Sequence, residues 1–249
     1  MDPVVVVAIV LLASAVIQAC TGFGYAIVSA PILAWLLGPA EAVSLIMISG
    51  LLVDVGLFAL GGRRPAPAWA EVFRLFLWSL PGLALGAIAL AVLPAPYLKF
   101  AMIMIILAVV LQRLIGGRFR SRLSHGPAAA IAGLSSGLLN TSTTLAGPPL
   151  AVYLAHRIPD RWQQRDTLIT LSLLRLPVSV ATMIIAGSWR PPEGLPLCLP
   201  AAAAGFLLGR YAFSKMSEKA HRRAVTTALL LALTTAAAAL VPLLIALST

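Results

Sequence analysis

Between Val72 and Val92 the chain runs for 21 residues with Arg74 as its one charge. A hydrocarbon layer about 30 Å thick takes a helix of ~20 predominantly apolar residues. Within that layer each backbone N–H and C=O must be paired inside the segment, which leaves the α-helix as the fold for such a stretch. Five further segments have the same character: Ala42–Leu60, Tyr97–Ile115, Thr167–Ala186, Leu195–Phe213 and Ala224–Leu247. Composition agrees, since 60% of the 249 residues are hydrophobic and 10% charged, where a soluble domain has about 25% charged. The expected fold class is an all-α polytopic membrane protein.

A net charge of +10 would suit nucleic acid only if a water-facing domain gathered it. No soluble stretch is long enough, so no nucleic-acid partner is expected. Cys20 and Cys198 have no metal or redox spacing, and His125, His156 and His221 stand scattered at segment ends. No metal and no cofactor are expected. The opening MDPVVVVAIVLLASAVIQAC is shaped like an export signal, but Asp2 stands where basic residues are needed. We read it as part of the membrane domain.

Two shorter apolar pieces precede each set of three spans, Val4–Ala19 with Pro31–Leu37, and Ala128–Leu139 with Pro148–Ala155. Each pair flanks a polar interruption. Sliding the sequence by 117 lays Pro31 on Pro148, Leu33 on Leu150 and Ala34 on Ala151; further on, a shift of 123 lays Gly86 on Gly209. The expected organisation is a first repeat over residues 1–117, a cytoplasmic linker over 118–127 and a second repeat over 128–249, together one membrane domain. Internal repeats of this kind recur in secondary transporters.

Charge sets the hand of the repeat. If each short pair enters and leaves on one side, as a re-entrant hairpin or as two crossings, the halves are inverted. Fifteen of the 18 basic residues then lie in the cytoplasm, Lys99 and Arg190 lie outside, and Arg175 is in the membrane. If each pair is one broken span, the count becomes eight inside against nine outside. The positive-inside rule favours the inverted arrangement, with both termini periplasmic or extracellular.

Non-helical backbone at membrane depth must be buried in protein or line a watery cavity. The first interruption offers Thr21, Gly22, Phe23, Gly24 and Tyr25, with Gln18 just ahead; the second offers Asn140, Thr141, Ser142, Thr143 and Thr144. Pro31 and Pro148 fit the first turn of the short helix that follows each tip. In the inverted topology two helix N-termini then face a common centre, and helix N-termini favour anions. The expected ligand is a small anion held between the tips. Ser, Thr and Gly are also common where membrane helices pack closely, and that reading stays open.

Arg175 and Asp54 both fall deep within apolar segments, where an ionisable residue is a functional hypothesis by default. Two overlapping readings are that the two neutralise one another in a structural pair and that Arg175 holds the substrate, exchanging its carboxylate for it; separately, Asp54 could carry a coupling proton. "GLSSG" at Gly133–Gly137 lacks the Gly-any-Ser-Gly order of intramembrane serine proteases, and no membrane-embedded His stands by as base. No enzyme activity is expected.

"TGFGYAIVSAPIL", "NTSTTLAGPPLAVY" and the "G…K/R" ends of the penultimate segments resemble the TauE/SafE family of sulfite exporters, within the 4-toluene sulfonate uptake permease superfamily. The resemblance covers about residues 5–247. It implies a bacterial inner-membrane protein of two related halves that moves sulfite, thiosulfate, sulfonates or sulfur-containing organic anions. The family tip often reads Gly-Gly-Gly, whereas this chain has Gly22-Phe23-Gly24 in one half and no glycine from Asn140 to Thr144 in the other. Three rival readings remain: a drug/metabolite-type exporter of a non-anionic solute, a membrane scaffold subunit that transports nothing, and an ion channel. The exact anion, the direction, proton or ion coupling and the oligomeric state are open at this stage.

Overall fold

A computed structural model of the protein describes residues 3–21, 24–60, 64–114, 125–192, 195–215 and 234. Gly22, Phe23, Arg118–Arg122, His221 and, apart from Thr234, the predicted span Ala224–Leu247 lie outside the described residues. Every regular element among the described residues is helical. In order these are α1 (Pro3–Thr21), α2 (Tyr25–Leu36), α3 (Pro39–Ala59), α4 (Trp69–Val92), α5 (Ala95–Leu114), α6 (His125–Thr143), α7 (Gly147–Ala155), α8 (Arg161–Ile185) and α9 (Leu195–Ser214). Three of them, α3, α4 and α8, are long and apolar enough by length and composition to cross a membrane.

Two helices outrun the sequence expectation. The short pieces Val4–Ala19 and Ala128–Leu139 become α1 and α6, each of 19 residues, or about 28 Å at 1.5 Å per residue. α6 passes through Asn140 to Thr143 because its hydroxyls turn back on their own helix. Ser142 Oγ donates to the Leu138 carbonyl at 2.7 Å and Thr143 Oγ1 to the Leu139 carbonyl at 2.9 Å. Such i−4 bonds let Ser and Thr sit in a helix without exposing a polar group.

The spacing of the helices also differs from the 117-residue slide. α1, α2 and α3 begin at residues 3, 25 and 39, and α6, α7 and α8 at 125, 147 and 161, an offset of 122 each time. On that offset Gln18 corresponds to Asn140, Thr21 to Thr143 and Ser14 to Ser136. Pro31 no longer corresponds to Pro148. It lies inside α2, six residues past the start, and not in the first turn. The helix begins early because Gly24, at φ 106°, reverses the chain immediately before Tyr25, a conformation that costs glycine nothing. Pro148 does stand in the first turn, at the second position of α7.

The chain divides into two compact units that do not follow its two halves. The first comprises Met1–Val53, Pro94–Leu111 and Arg190–Thr249, and its main pairing is α1 against α9. A Cβ placed on Gly205 would stand 2.3 Å from the Leu12 carbonyl oxygen, and one on Gly209 would stand 2.7 Å from that of Val16. Cys20 Sγ donates to the Gly209 carbonyl at 3.3 Å, so this thiol is buried at the crossing. Lys99, near the start of α5, lies 4.9 Å over the Trp35 ring.

The second unit comprises Asp54–Leu93 and Gln112–Trp189, and α4 packs against α6. Here both faces carry glycines four residues apart. A Cβ on Gly82 or Gly86 would stand 2.2 Å from the Leu134 or Leu138 carbonyl oxygen, and one on Gly137 would stand 2.3 Å from that of Ser79. Small residues at this spacing let membrane helices approach backbone to backbone. Thr141 Oγ1 crosses the seam to the Leu83 carbonyl at 2.7 Å. Beside it, Leu75, Ala129, Leu150, Tyr153, Leu154 and Leu171 form a buried cluster. Tyr153 OH donates to Glu71 Oε2 at 2.7 Å.

α8 is fixed at its start. The Asp160 side chain accepts from the N–H groups of Trp162 and Gln163, as an N-cap should. Asp166 and Thr167 then accept from the Ala66 and Ala68 N–H groups at 2.9 and 3.0 Å, tying down the segment before α4.

Candidate functional site

The polar groups of the second unit gather where α8 passes the end of α6 and the start of α7. Ser172, Arg175 and Ser179 are three and four residues apart, and so share one face of α8. Arg175 is 3% exposed. Its Nη1 donates to Ser136 Oγ on α6 at 2.8 Å, and Ser136 Oγ donates in turn to the Ala146 carbonyl, just ahead of α7, at 2.9 Å. Ser179 Oγ donates to the Arg175 carbonyl at 2.9 Å and receives Asn140 Nδ2 at the same distance. One chain of hydrogen bonds thus joins α6, the turn and α8.

The guanidinium itself is left incomplete. Its Nε is buried with no acceptor, and buried N–H groups are nearly always paired. Among the described residues Arg175 has no salt-bridge partner. The sequence left open a direct pair with Asp54. In the structure Asp54 Oδ2 accepts from Ser172 Oγ at 2.8 Å, one turn of α8 before Arg175. A buried cation without a partner is costly. Among the described residues no acceptor faces Nε.

The helix terminus contributes less than the sequence promised. α7 opens Gly147-Pro148-Pro149, and proline has no N–H, so two of the unpaired donors that a helix start usually offers are missing. Thr141, Ser142 and Thr143 are buried with their hydroxyl hydrogens committed to carbonyls. As placed, they offer an anion no donor. Thr144 ends α6 at φ 63°, where a β-branched residue is strained and glycine is the usual occupant. Strain of this kind gathers at functional sites.

The first interruption belongs to the other unit and is built differently. α1 ends at Thr21, Gly24 stands in the left-handed region, and α2 begins at Tyr25. The Tyr25 N–H donates to the Gln18 side-chain oxygen at 3.2 Å, so an amide oxygen occupies the first donor of that helix. The Tyr25 ring is buried and packs on Gly50.

Sequence reasoning named Arg175 and Asn140 but missed Ser136 and Ser179, which connect them. Their spacing carried a signal: Ser179 is four residues after Arg175 on a helix, and Ser136 four before Asn140. No curated protein and no solved structure matches the chain. The sequence model of the family described as sulfite exporter TauE/SafE matches residues 6–236. That match takes in both interruptions, α1 to α9, and the Arg175 network, and by it the chain belongs to the TauE/SafE sulfite exporter family of membrane transporters.

Proposed function

We propose that the protein is a secondary transporter that exports a small sulfur-containing anion across the bacterial inner membrane. Sulfite, thiosulfate or an organosulfonate fits the chemistry, and both termini lie outside in this reading. The single observation that carries it is Arg175: a 3% exposed arginine on a helix of membrane-spanning length, with a buried Nε that has no acceptor. Sulfite and sulfonate groups present several oxygens on one centre, which suits a planar guanidinium. Ser136 holds one edge of that group, leaving the Nε edge for the anion, and Asn140 stands in the same network. Gln18 and Thr21–Tyr25 are proposed as further substrate contacts, the Gln18 oxygen occupying a donor that an anion would take. Residues 1–117 and 128–249 are read as inverted repeats, with transport by alternating access.

The test is thermal unfolding of the purified protein in detergent against sodium salts of sulfite, thiosulfate, methanesulfonate, sulfate, phosphate and acetate. A ligand at 100 times its Kd stabilises the folded form by ~2.7 kcal/mol. A shift with sulfur oxyanions that Arg175→Ala abolishes supports the reading. The absence of a shift with all six salts refutes it and favours the scaffold role. Uptake of the bound anion into inside-out vesicles then establishes export.

A further inference from the structure

Ser136 is fully buried and uses its hydroxyl twice. The oxygen accepts from Arg175 Nη1 at 2.8 Å, and the hydrogen goes to the Ala146 carbonyl at 2.9 Å. A serine hydroxyl has one hydrogen, so Ser136 has none to give an anion. It can act on a ligand at Arg175 only through the guanidinium.

A guanidinium is planar and presents its N–H groups as a rigid fork. Nη1 is the terminal nitrogen on the Cδ side, so the Nε hydrogen and one Nη2 hydrogen point the other way, side by side. Ser136 grips Nη1, and among the described residues the buried Nε has no acceptor. The side-on edge of Nε and Nη2 is therefore the open one, and the grip at Nη1 fixes its direction. The backbone beneath is held too: Ser179 Oγ donates to the Arg175 carbonyl and receives Asn140 Nδ2, both at 2.9 Å. Such an edge suits an anion with two oxygens on one centre, which accepts two parallel hydrogen bonds. A single-atom anion such as bromide responds to the charge and gains little from the direction of the edge.

We infer that Ser136 is a positioning residue that sets the selectivity of the Arg175 site: it fixes the guanidinium so that the side-on edge favours anions with two oxygens on one centre over single-atom anions of the same charge. This rests on the reading of Arg175 as the anion-binding group. Without Ser136 the guanidinium keeps its charge and loses its fixed direction. A two-oxygen anion must then order the side chain as it binds, at a cost of roughly three- to tenfold in affinity. Bromide, which needs no fixed edge, escapes most of that cost.

The experiment uses the full chain in detergent at constant ionic strength. Thermal-shift titrations give Kd for sodium methanesulfonate and sodium bromide, two monovalent anions that stay ionised near neutral pH. The quantity read is the bromide Kd over the methanesulfonate Kd, each variant against the native protein, so that the hydration of the two ions cancels. We expect this ratio to fall roughly three- to tenfold in Ser136→Ala and to stay near the native value in Ser136→Thr. In Arg175→Lys, which keeps a positive charge without the fork, it should fall at least as far as in Ser136→Ala. Lost stability alone weakens neither anion against the other, so it does not move the ratio. An unchanged ratio in Ser136→Ala overturns the inference, and if Arg175→Ala abolishes binding, the reading of Arg175 still stands. If Ser136→Ala does not fold, Ser136→Cys, whose sulfur is a weak acceptor, is judged by the same criterion. Native protein that binds neither anion, or binding that Arg175→Ala leaves intact, refutes the reading of Arg175 first and carries this inference with it.

Discussion

Arg175 Nη1 reaches Ser136 Oγ at 2.8 Å across two helices, and Ser136 hands its own hydrogen to the Ala146 carbonyl. One hydroxyl therefore serves one donor of a buried cation and a buried carbonyl at once. Ser136→Ala orphans both and should cost about 1–3 kcal/mol. Ser136→Thr keeps the hydroxyl and should recover part of that loss. Denaturant unfolding in detergent measures both, and a neutral Ser136→Ala would mean the network contributes little.

Thr144 ends α6 with φ 63°. Replacing it by glycine relieves a left-handed strain of about 1–2 kcal/mol, partly offset by roughly 1 kcal/mol of added chain entropy. The expected result is a small rise in stability for Thr144→Gly. If the strained turn serves transport, flux should fall while Tm rises, and parallel flux and melting measurements separate the two.

Gly86 offers a sharp packing test. Its added methyl would meet the Leu138 carbonyl at 2.2 Å and Thr141 Oγ1 at 2.3 Å, so Gly86→Ala should cost about 1–3 kcal/mol by overpacking. Gly126→Ala meets nothing within 4 Å and should be near neutral. Melting temperature and the yield of monodisperse protein report both.

Asp160 caps α8 through two N–H groups at 3.1 and 3.2 Å. Asp160→Ala should lower stability by about 1 kcal/mol, and Asp160→Asn by less, because the amide oxygen still accepts. Equal losses in the two variants would assign the effect to charge and not to capping.

The helices were legible because apolar runs of this length have few alternatives. Five of the six predicted spans lie where α3, α4, α5, α8 and α9 form, within a few residues; the sixth lies outside the described residues. The register of the repeat was not legible. Proline looked like the marker, but Pro31 is tolerated inside α2, and the helix start is set by Gly24 and by Gln18 seven residues before Tyr25. Arg175 was legible as one cation in an apolar stretch. Ser136 was not, because a serine among glycines and alanines reads as helix packing until α8 is seen beside it. Thr141–Thr143 misled in the opposite sense: hydroxyls that looked like ligands are spent on carbonyls.

The pairing of α1 with α9 fixes an order of events during synthesis. Leu12 meets Gly205, its neighbour at the crossing, only after the ribosome has added nearly two hundred more residues. At 5–20 residues per second that is a wait of roughly 10–40 s. Through that interval the face of α1 that will meet Gly205 and Gly209 has no α9 to cover it. A stop codon ahead of α9 therefore does not yield half a transporter. It strands the first helix without the surface it was made to fit.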